Sequence, residues 1–330
     1  MQLFLVYPIT HMMKSFSVPE ELAGERLDLV VLRFSGAESR ALIQKGIRAG
    51  YVRVNGAPQK SRYAVKAGDR VTTDNAALHT LAHPALQPHN QPLPILFEND
   101  DLCVINKPAG ILTHPAANNF GPSVAEFLLF RYPDIATVGE HSLRPGIVHR
   151  LDKDTSGVLV AARNTRSYVQ VKQIFQLRQI AKTYQALCFG IPHESVGIIE
   201  TLIGRSLADP RRRTTGASRN PKTALTQYRV IRTFGKRASL LELHPKTGRM
   251  HQIRVHLQHI GTPILGDPLY STKPSRSFSQ ELGIKRQMLH ASDLSFTLNA
   301  ISYAFHAPLP EDFRHAIEKL EQPEYLPHLD

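Results

Sequence analysis

Cysteine is scarce. Among 330 residues only Cys103 and Cys188 carry a thiol, too few for a disulfide framework or a cysteine-rich metal site. Both lie in apolar, strand-like runs (LCVIN and ALCFG). That placement predicts two buried free thiols in a reducing compartment, and hence a cytoplasmic protein. No apolar run approaches the ~18–20 residues that a membrane-crossing helix needs. The opening MQLFLVYPIT is apolar but has neither a basic lead nor a small-residue cleavage site, so it does not read as a secretory signal. Met12 and Met13 are alternative starts. Acid is in short supply: 28 Asp and Glu stand against 40 Lys and Arg, a formal net charge of +12. Such an excess says nothing about fold but favours a polyanionic partner, either nucleic acid or an anionic surface. Also missing are a Walker loop, a GxGxxG after a strand, a GxSxG elbow and an HExxH pair. Nucleotide hydrolysis, dinucleotide redox, serine hydrolysis and zincin chemistry thereby lose their usual marks, and neither cofactor nor metal is expected.

The length predicts about two domains. Residues 1–16 read as a tail and 17–76 as a small basic module. That module has a helical pattern opened by Glu25-Arg26-Leu27-Asp28, a second short helix from Ser39 as its cap, and short strands around an Asn55-Gly56 turn. Arg40, Lys45, Arg48, Arg53, Lys60 and Arg62 concentrate there. Residues 77–94, rich in Pro and His, read as a linker. Residues 95–330 form a larger unit whose strands cluster without a clean βαβ rhythm, which predicts an α+β fold with a mixed, largely antiparallel sheet. Within it, Gly157–Ala162 (GVLVAA) predicts a strand buried on both faces. A helix following Thr247-Gly248 would carry Met250, Ile253, Leu257 and Ile260 on its core stripe, with Gly261 as its stop.

Two polar clusters carry the candidate chemistry. His149-Arg150-Leu151-Asp152-Lys153-Asp154-Thr155-Ser156-Gly157 packs ionisable and hydroxyl groups just ahead of the buried strand, where side chains can enter a cleft. A carboxylate such as Asp152 beside a guanidinium stays ionised, which suits a nucleophile or a general base. The bland alternative is a solvated turn. Thr247–His256 (TGRMHQIRVH) is the second cluster. On its helix, His251 and Arg254 flank the core stripe, and Arg254 at the core boundary needs a carboxylate partner; a solvated helix face is the alternative. His256 and His259 share a face, but His251 points elsewhere, so the three do not converge on one ion.

These stretches resemble the RluA/RluD family of RNA pseudouridine synthases. The resemblance rests on GIVHRLDKDTSGVLVAA (residues 146–162), VINKPAGILTHP (104–115), Lys182-Thr183-Tyr184, TGRMHQIRVH, GDPLY (266–270) and Leu289-His290-Ala291, in the family's order over most of residues 95–310. The basic module, running from ERLD through YVRVNG to VKAGDRV, resembles an S4 RNA-binding domain. Together they imply an RluD-type isomerase of uridines in large-subunit ribosomal RNA, without nucleotide cofactor, metal or membrane, and monomeric. By the same resemblance Asp152 is the catalytic aspartate, Tyr184 the ring that stacks on uracil, and Arg254 the partner of the aspartate. Arg150, Lys107, His149, Arg249 and His251 would contact substrate near the base. Arg40, Lys45 and Arg53 of the small module and Arg212 of the Arg211–Arg213 tract would contact RNA. At Met250 the family pattern more often has a small or hydroxyl residue. A non-catalytic RNA-binding protein would lack the Asp152, Tyr184 and Arg254 set, and a metal-dependent nuclease or deaminase would need convergent ligands.

Overall fold

A computed structural model describes residues 13–35, 39–82, 86–115 and 121–325. The chain divides into two compact units, with the boundary between residues 85 and 86.

The first unit is a four-stranded antiparallel sheet with helices. It comprises β1 (Met13–Ser17), α1 (Leu27–Ser35), α2 (Arg40–Arg48), β2 (Val52–Val54), β3 (Ala57–Pro58), β4 (Arg70–Asp74) and α3 (Asn75–Ala82), with strand order β1-β4-β2-β3. Ser39 caps α2 by accepting from the Leu42 amide. Asn55 and Gly56 both take positive φ, as a two-residue turn between β2 and β3 requires. Asp28 is fully buried between the helices and accepts from Arg26, Arg40 and Gln44. Burial opposes its ionisation, but these three donors overcome that and hold it well below the usual carboxylate range. Two sequence expectations need correcting here. Residues 13–16 are not tail, because they pair with β4 from Asp74 to Val71. Nor does the linker begin at 77: α3 runs to Ala82, and Leu78 is buried in the module's core. The expected linker also ends early, since Leu86 and Leu93 pack into the core of the second unit.

The second unit is built on a ten-stranded sheet. Its elements are β5 (Ile95–Glu98), β6 (Leu102–Lys107), α4 (Val124–Arg131), β7 (Ser156–Ala162), α5 (Thr165–Gln176), β8 (Ile180–Phe189), β9 (Val196–Ser206), β10 (Arg213–Thr214), β11 (Ser218–Phe234), β12 (Ala238–Pro245), α6 (Gln252–His259), α7 (Lys273–Glu281), β13 (Leu289–Leu298), β14 (Ile301–His306) and α8 (Glu311–Leu320). The strand order is β10-β9-β11-β12-β8-β13-β7-β6-β5, with β14 on β13. Every pairing is antiparallel except β13 with β7. All seven residues of β7 are buried. Leu159 and Ala161 face the cluster under α4, and Val158 and Val160 face the one under α5. Both thiols are buried. Burial pushes Cys103 up to about 11 and Cys188 higher still, so neither is a reactive thiolate.

Helix α6 differs from its expected form. It begins at Gln252, and Met250 lies outside it and is exposed. The sequence TGRMH forms a turn that ends with His251 in the left-handed region (φ 59°). The Gln252 amide holds that turn. Its Oε1 accepts from Thr247 Oγ1 and the Arg249 amide, and its Nε2 donates to Leu225 O and Thr226 Oγ1. His256, wholly buried, places one ring nitrogen against Thr226 and the other against Thr201. These contacts register α6 on β9 and β11.

Candidate active site

The loop before β7 is clamped on both sides of Asp152. Thr113 Oγ1 donates to Leu151 O (2.8 Å) and accepts from Leu151 N (3.1 Å). Lys107 Nζ donates to the carbonyls of Lys153 (2.9 Å), Pro108 (2.8 Å) and Ile111 (2.8 Å). Lys107 is therefore not a substrate contact as expected. It is fully buried and acts as an internal tripod beneath the loop. Burial pulls its ammonium down to about 7, against the charges of Asp154 and Asp152. Beyond the loop, Gly157 has φ +117°, and a Cβ there would lie 2.1 Å from Ala291 O. Only glycine lets β7 close on β13 at this point.

Asp152 meets α6 at Arg254. The guanidinium is 5% exposed and shared between two carboxylates. Its Nε and Nη2 grip Asp267 Oδ2 (2.7 Å) and Oδ1 (2.9 Å), and Nη1 reaches Asp152 Oδ2 (2.9 Å). Asp267 is completely buried and also accepts from the amides of Leu269 and Tyr270. The reading that Arg254 needs a carboxylate partner understated the arrangement, because Asp267 in GDPLY takes two of its three bonds. Asp152 Oδ1 has no hydrogen-bond partner among the described residues. Burial tends to raise the Asp152 pKa. His251 when protonated, Arg254 with its charge and hydrogen bond, and lastly Arg150 oppose that and bring it below its ordinary value; while His251 is neutral the work falls to the two arginines. Arg150, expected near the flipped base, is exposed and comes last among these influences.

Asp152 opens into a cleft of about 670 Å³ lined also by Tyr184 of β8, Phe175, Lys182, Arg249 and His251. Burial and then the charge of Asp152 raise the Tyr184 phenol well above its usual value, so it stands there as a neutral ring. His149 stacks on Phe175 at 4.6 Å, and its Nε2 accepts the Val160 amide. Burial and then Lys182 lower it to about 3, so it is an uncharged wall of the cleft. His251 lies with Nε2 3.8 Å from Asp152 Oδ2. Arg249 donates from Nε to Thr223 O. In the sequence Lys182 stands out only within Lys182-Thr183-Tyr184. It lines the cleft without an ion pair or hydrogen bond among the described residues, and burial followed by Arg178 lowers it to about 8.

Other expected contacts lie outside this cleft. Arg212 sits over the Tyr270 ring at 5.3 Å, and its neighbour Arg211 pairs with Asp209. In the first unit, Lys45 and Arg53 are exposed, and Arg40 is exposed while pairing with Asp28.

Residues 101–259 match the family model for RNA pseudouridylate synthase, and residues 25–71 match the S4 domain. "Uncharacterized RNA pseudouridine synthase YlyB" of Bacillus subtilis is 34% identical over 308 residues, covering 92% of this chain and 96% of its own. The chain belongs to the RNA pseudouridine synthase family. A further relative of this synthase is "Ribosomal large subunit pseudouridine synthase D" of Xanthomonas campestris, 35% identical, covering 96% of this chain and 95% of its own. The solved structure of human RNA pseudouridylate synthase domain containing 4 superposes with a TM-score of 0.55 at 30% identity, covering 69% of this chain and 92% of that one. The enzyme is thus an RNA isomerase with an S4 RNA-binding domain and a mixed, predominantly antiparallel catalytic sheet. No described helix is long and apolar enough to cross a membrane.

Proposed function

We propose that this synthase converts specific uridines of large-subunit ribosomal RNA to pseudouridine, flipping each target base into the cleft and using Asp152 as its catalytic residue. The observation that carries the reading is the division of the Asp152 carboxylate on a residue that lines the cleft: Oδ2 is bound by Arg254 while Oδ1 has no hydrogen-bond partner among the described residues. The N1–C1′ bond breaks, the uracil turns, a C5–C1′ bond forms, C5 loses its proton and N1 gains one. Nothing is oxidised and no group is donated, so the chain's own side chains suffice. Oδ1 is the atom that attacks C1′ or takes the C2′ proton, and both routes need this oriented, ionised oxygen. Tyr184 offers a neutral ring against the flipped base, offsetting part of the roughly few kcal/mol of lost stacking. Arg150, Lys182 and Arg249 at the cleft and the exposed cations of the S4 domain supply phosphate contacts. The large-subunit target is supported by the relatives that carry that name.

Asp152→Asn keeps the shape and removes the reactive oxygen. Pseudouridine formation should vanish while RNA affinity stays within several-fold. Turnover above a few per cent of wild type would remove Asp152 from the chemistry. Mapping pseudouridines in ribosomal RNA from cells with and without the gene tests the substrate; an unchanged map of the large-subunit RNA would overturn that assignment.

A further inference from the structure

Tyr270 sits in the GDPLY turn and is fully buried. Its hydroxyl has two partners. It accepts the main-chain N–H of Arg213 at 2.8 Å, and it lies 2.8 Å from His251 Nδ1. A phenol has one hydrogen, and an amide N–H can only donate. The phenol hydrogen therefore goes to Nδ1, which must carry its lone pair. The remaining proton of a neutral His251 is on Nε2, the nitrogen that stands 3.8 Å from Asp152 Oδ2. The opposite arrangement is unfavourable. If Nδ1 were protonated, the phenol oxygen would accept twice and its own hydrogen would have no acceptor in a buried position.

We propose that Tyr270 is a positioning residue that keeps His251 a neutral imidazole with its proton on Nε2, facing the reactive carboxylate as an uncharged donor. The inference rests on the reading of Asp152 as the reactive group. Its force lies in the charges that surround the ring. Asp152 and Asp267 face it with one negative charge each, and Arg254 answers with one positive charge divided between them; Arg213 adds a cation from the β10 side. An imidazolium at this spot would place a second cation against Oδ2 and blunt the carboxylate as nucleophile or base. Further observations fit. The His251 ring meets Tyr270 edge to face at 5.7 Å, so its plane is set. His251 also adopts the left-handed backbone at φ 59°, a conformation that a non-glycine residue holds only where its surroundings enforce it. Burial carries the imidazole down to about 4 in the same direction.

The test uses the full-length protein and Tyr270→Phe. In the free protein labelled with ¹⁵N-histidine, with His251→Gln used to assign the signal, wild-type His251 should show a bare Nδ1 and a protonated Nε2 from pH 5 to 8. In Tyr270→Phe the ring should begin to titrate about one pH unit higher, the scale of one net hydrogen bond. In single-turnover assays of pseudouridine formation, the acid limb of the Tyr270→Phe profile should move up by the same interval. In a His251→Gln background, Tyr270→Phe should leave the limb where it is. A protonated Nδ1 in the wild type, or an equal limb shift with and without the histidine, would overturn the proposal. The nitrogen signals read the tautomer whether or not Asp152 proves to be the reactive residue. An inactive Asp152→Asn with an unlocked histidine would defeat only this inference; an active Asp152→Asn with a locked histidine would defeat only the catalytic assignment.

Discussion

Replacing Arg254 with lysine probes the centre of the site with the smallest change of charge. The guanidinium makes three charge-assisted bonds, two to Asp267 and one to Asp152. An ammonium is a point donor and cannot fork to one carboxylate while bonding another. It should stay with Asp267, which is wholly buried and needs compensation more than Asp152, whose side chain is 18% exposed. Asp152 then loses one charge-assisted bond, on the order of 1.5–3 kcal/mol. At about 1.4 kcal/mol per pKa unit that becomes roughly one to two units. The sign follows from the direction of the present shift: Asp152 is held below its ordinary value, so removing the bond raises it. The acid limb of the activity profile should move up by the same interval. At neutral pH the carboxylate stays ionised but loses its fixed orientation, for a further loss of about 10- to 100-fold. Arg254→Ala should be worse in both respects, and destabilised by about 3–5 kcal/mol because two carboxylates face each other without a cation. The assay is single-turnover release of tritium from C5-labelled uridine in RNA between pH 4.5 and 8.5, with thermal unfolding as the check on folding. A well-folded lysine variant with the wild-type limb and rate would refute the reasoning.

Two further predictions concern the surroundings. A chain beginning at residue 86 should fold, yet bind RNA more weakly and with a shallower dependence on salt, losing about 0.7–0.9 in slope for each phosphate contact removed; equal slopes in filter binding would deny the first unit its role. Lys107→Met should destabilise by about 2–4 kcal/mol near neutral pH, because the Pro108 and Ile111 carbonyls lose their donor. In the wild type, Lys107 releases its proton near 7 when folded and near 10.5 when unfolded. The unfolded chain thus binds the extra proton between those values, and stability rises with pH across that window. The methionine variant lacks this rise, so urea titrations at pH 6.5 and 9.5 should show its deficit growing at the higher pH; a constant deficit would contradict the buried-ammonium account.

The parts of this molecule that a one-dimensional pattern encodes were legible. The GVLVAA run gave a strand covered on both faces because continuous apolarity has that physical meaning. Arg254 one step off an apolar stripe announced a buried cation in need of an anion. What escaped depends on contacts between distant segments. Asp267 and Tyr270 sit in a turn with no periodicity, and their roles exist only once that turn meets α6. Lys107, next to Pro-Ala-Gly, resembles a loop lysine until three carbonyls close around it. The eight residues of α3 were hidden by the prolines and histidines that follow them, although Leu78 anchors the helix in the core. The parallel contact of β13 with β7 leaves no trace in either strand's own sequence.

The sharing of Arg254 between two carboxylates also sorts the pieces of an incoming nucleotide. With His251 neutral, Asp152, Asp267 and Arg254 sum to one net negative charge in a protein whose formal charge is +12. Around this spot the cleft presents Arg150, Arg178, Lys182, Lys246 and Arg249, with Lys172 already paired to Glu140. A phosphodiester is drawn to that ring and repelled from its middle, while a neutral uracil and ribose meet no such barrier. If the target base enters this cleft as proposed, the field alone would hold the backbone at the margin and admit the base, setting the strand's depth before any shape-specific contact is made.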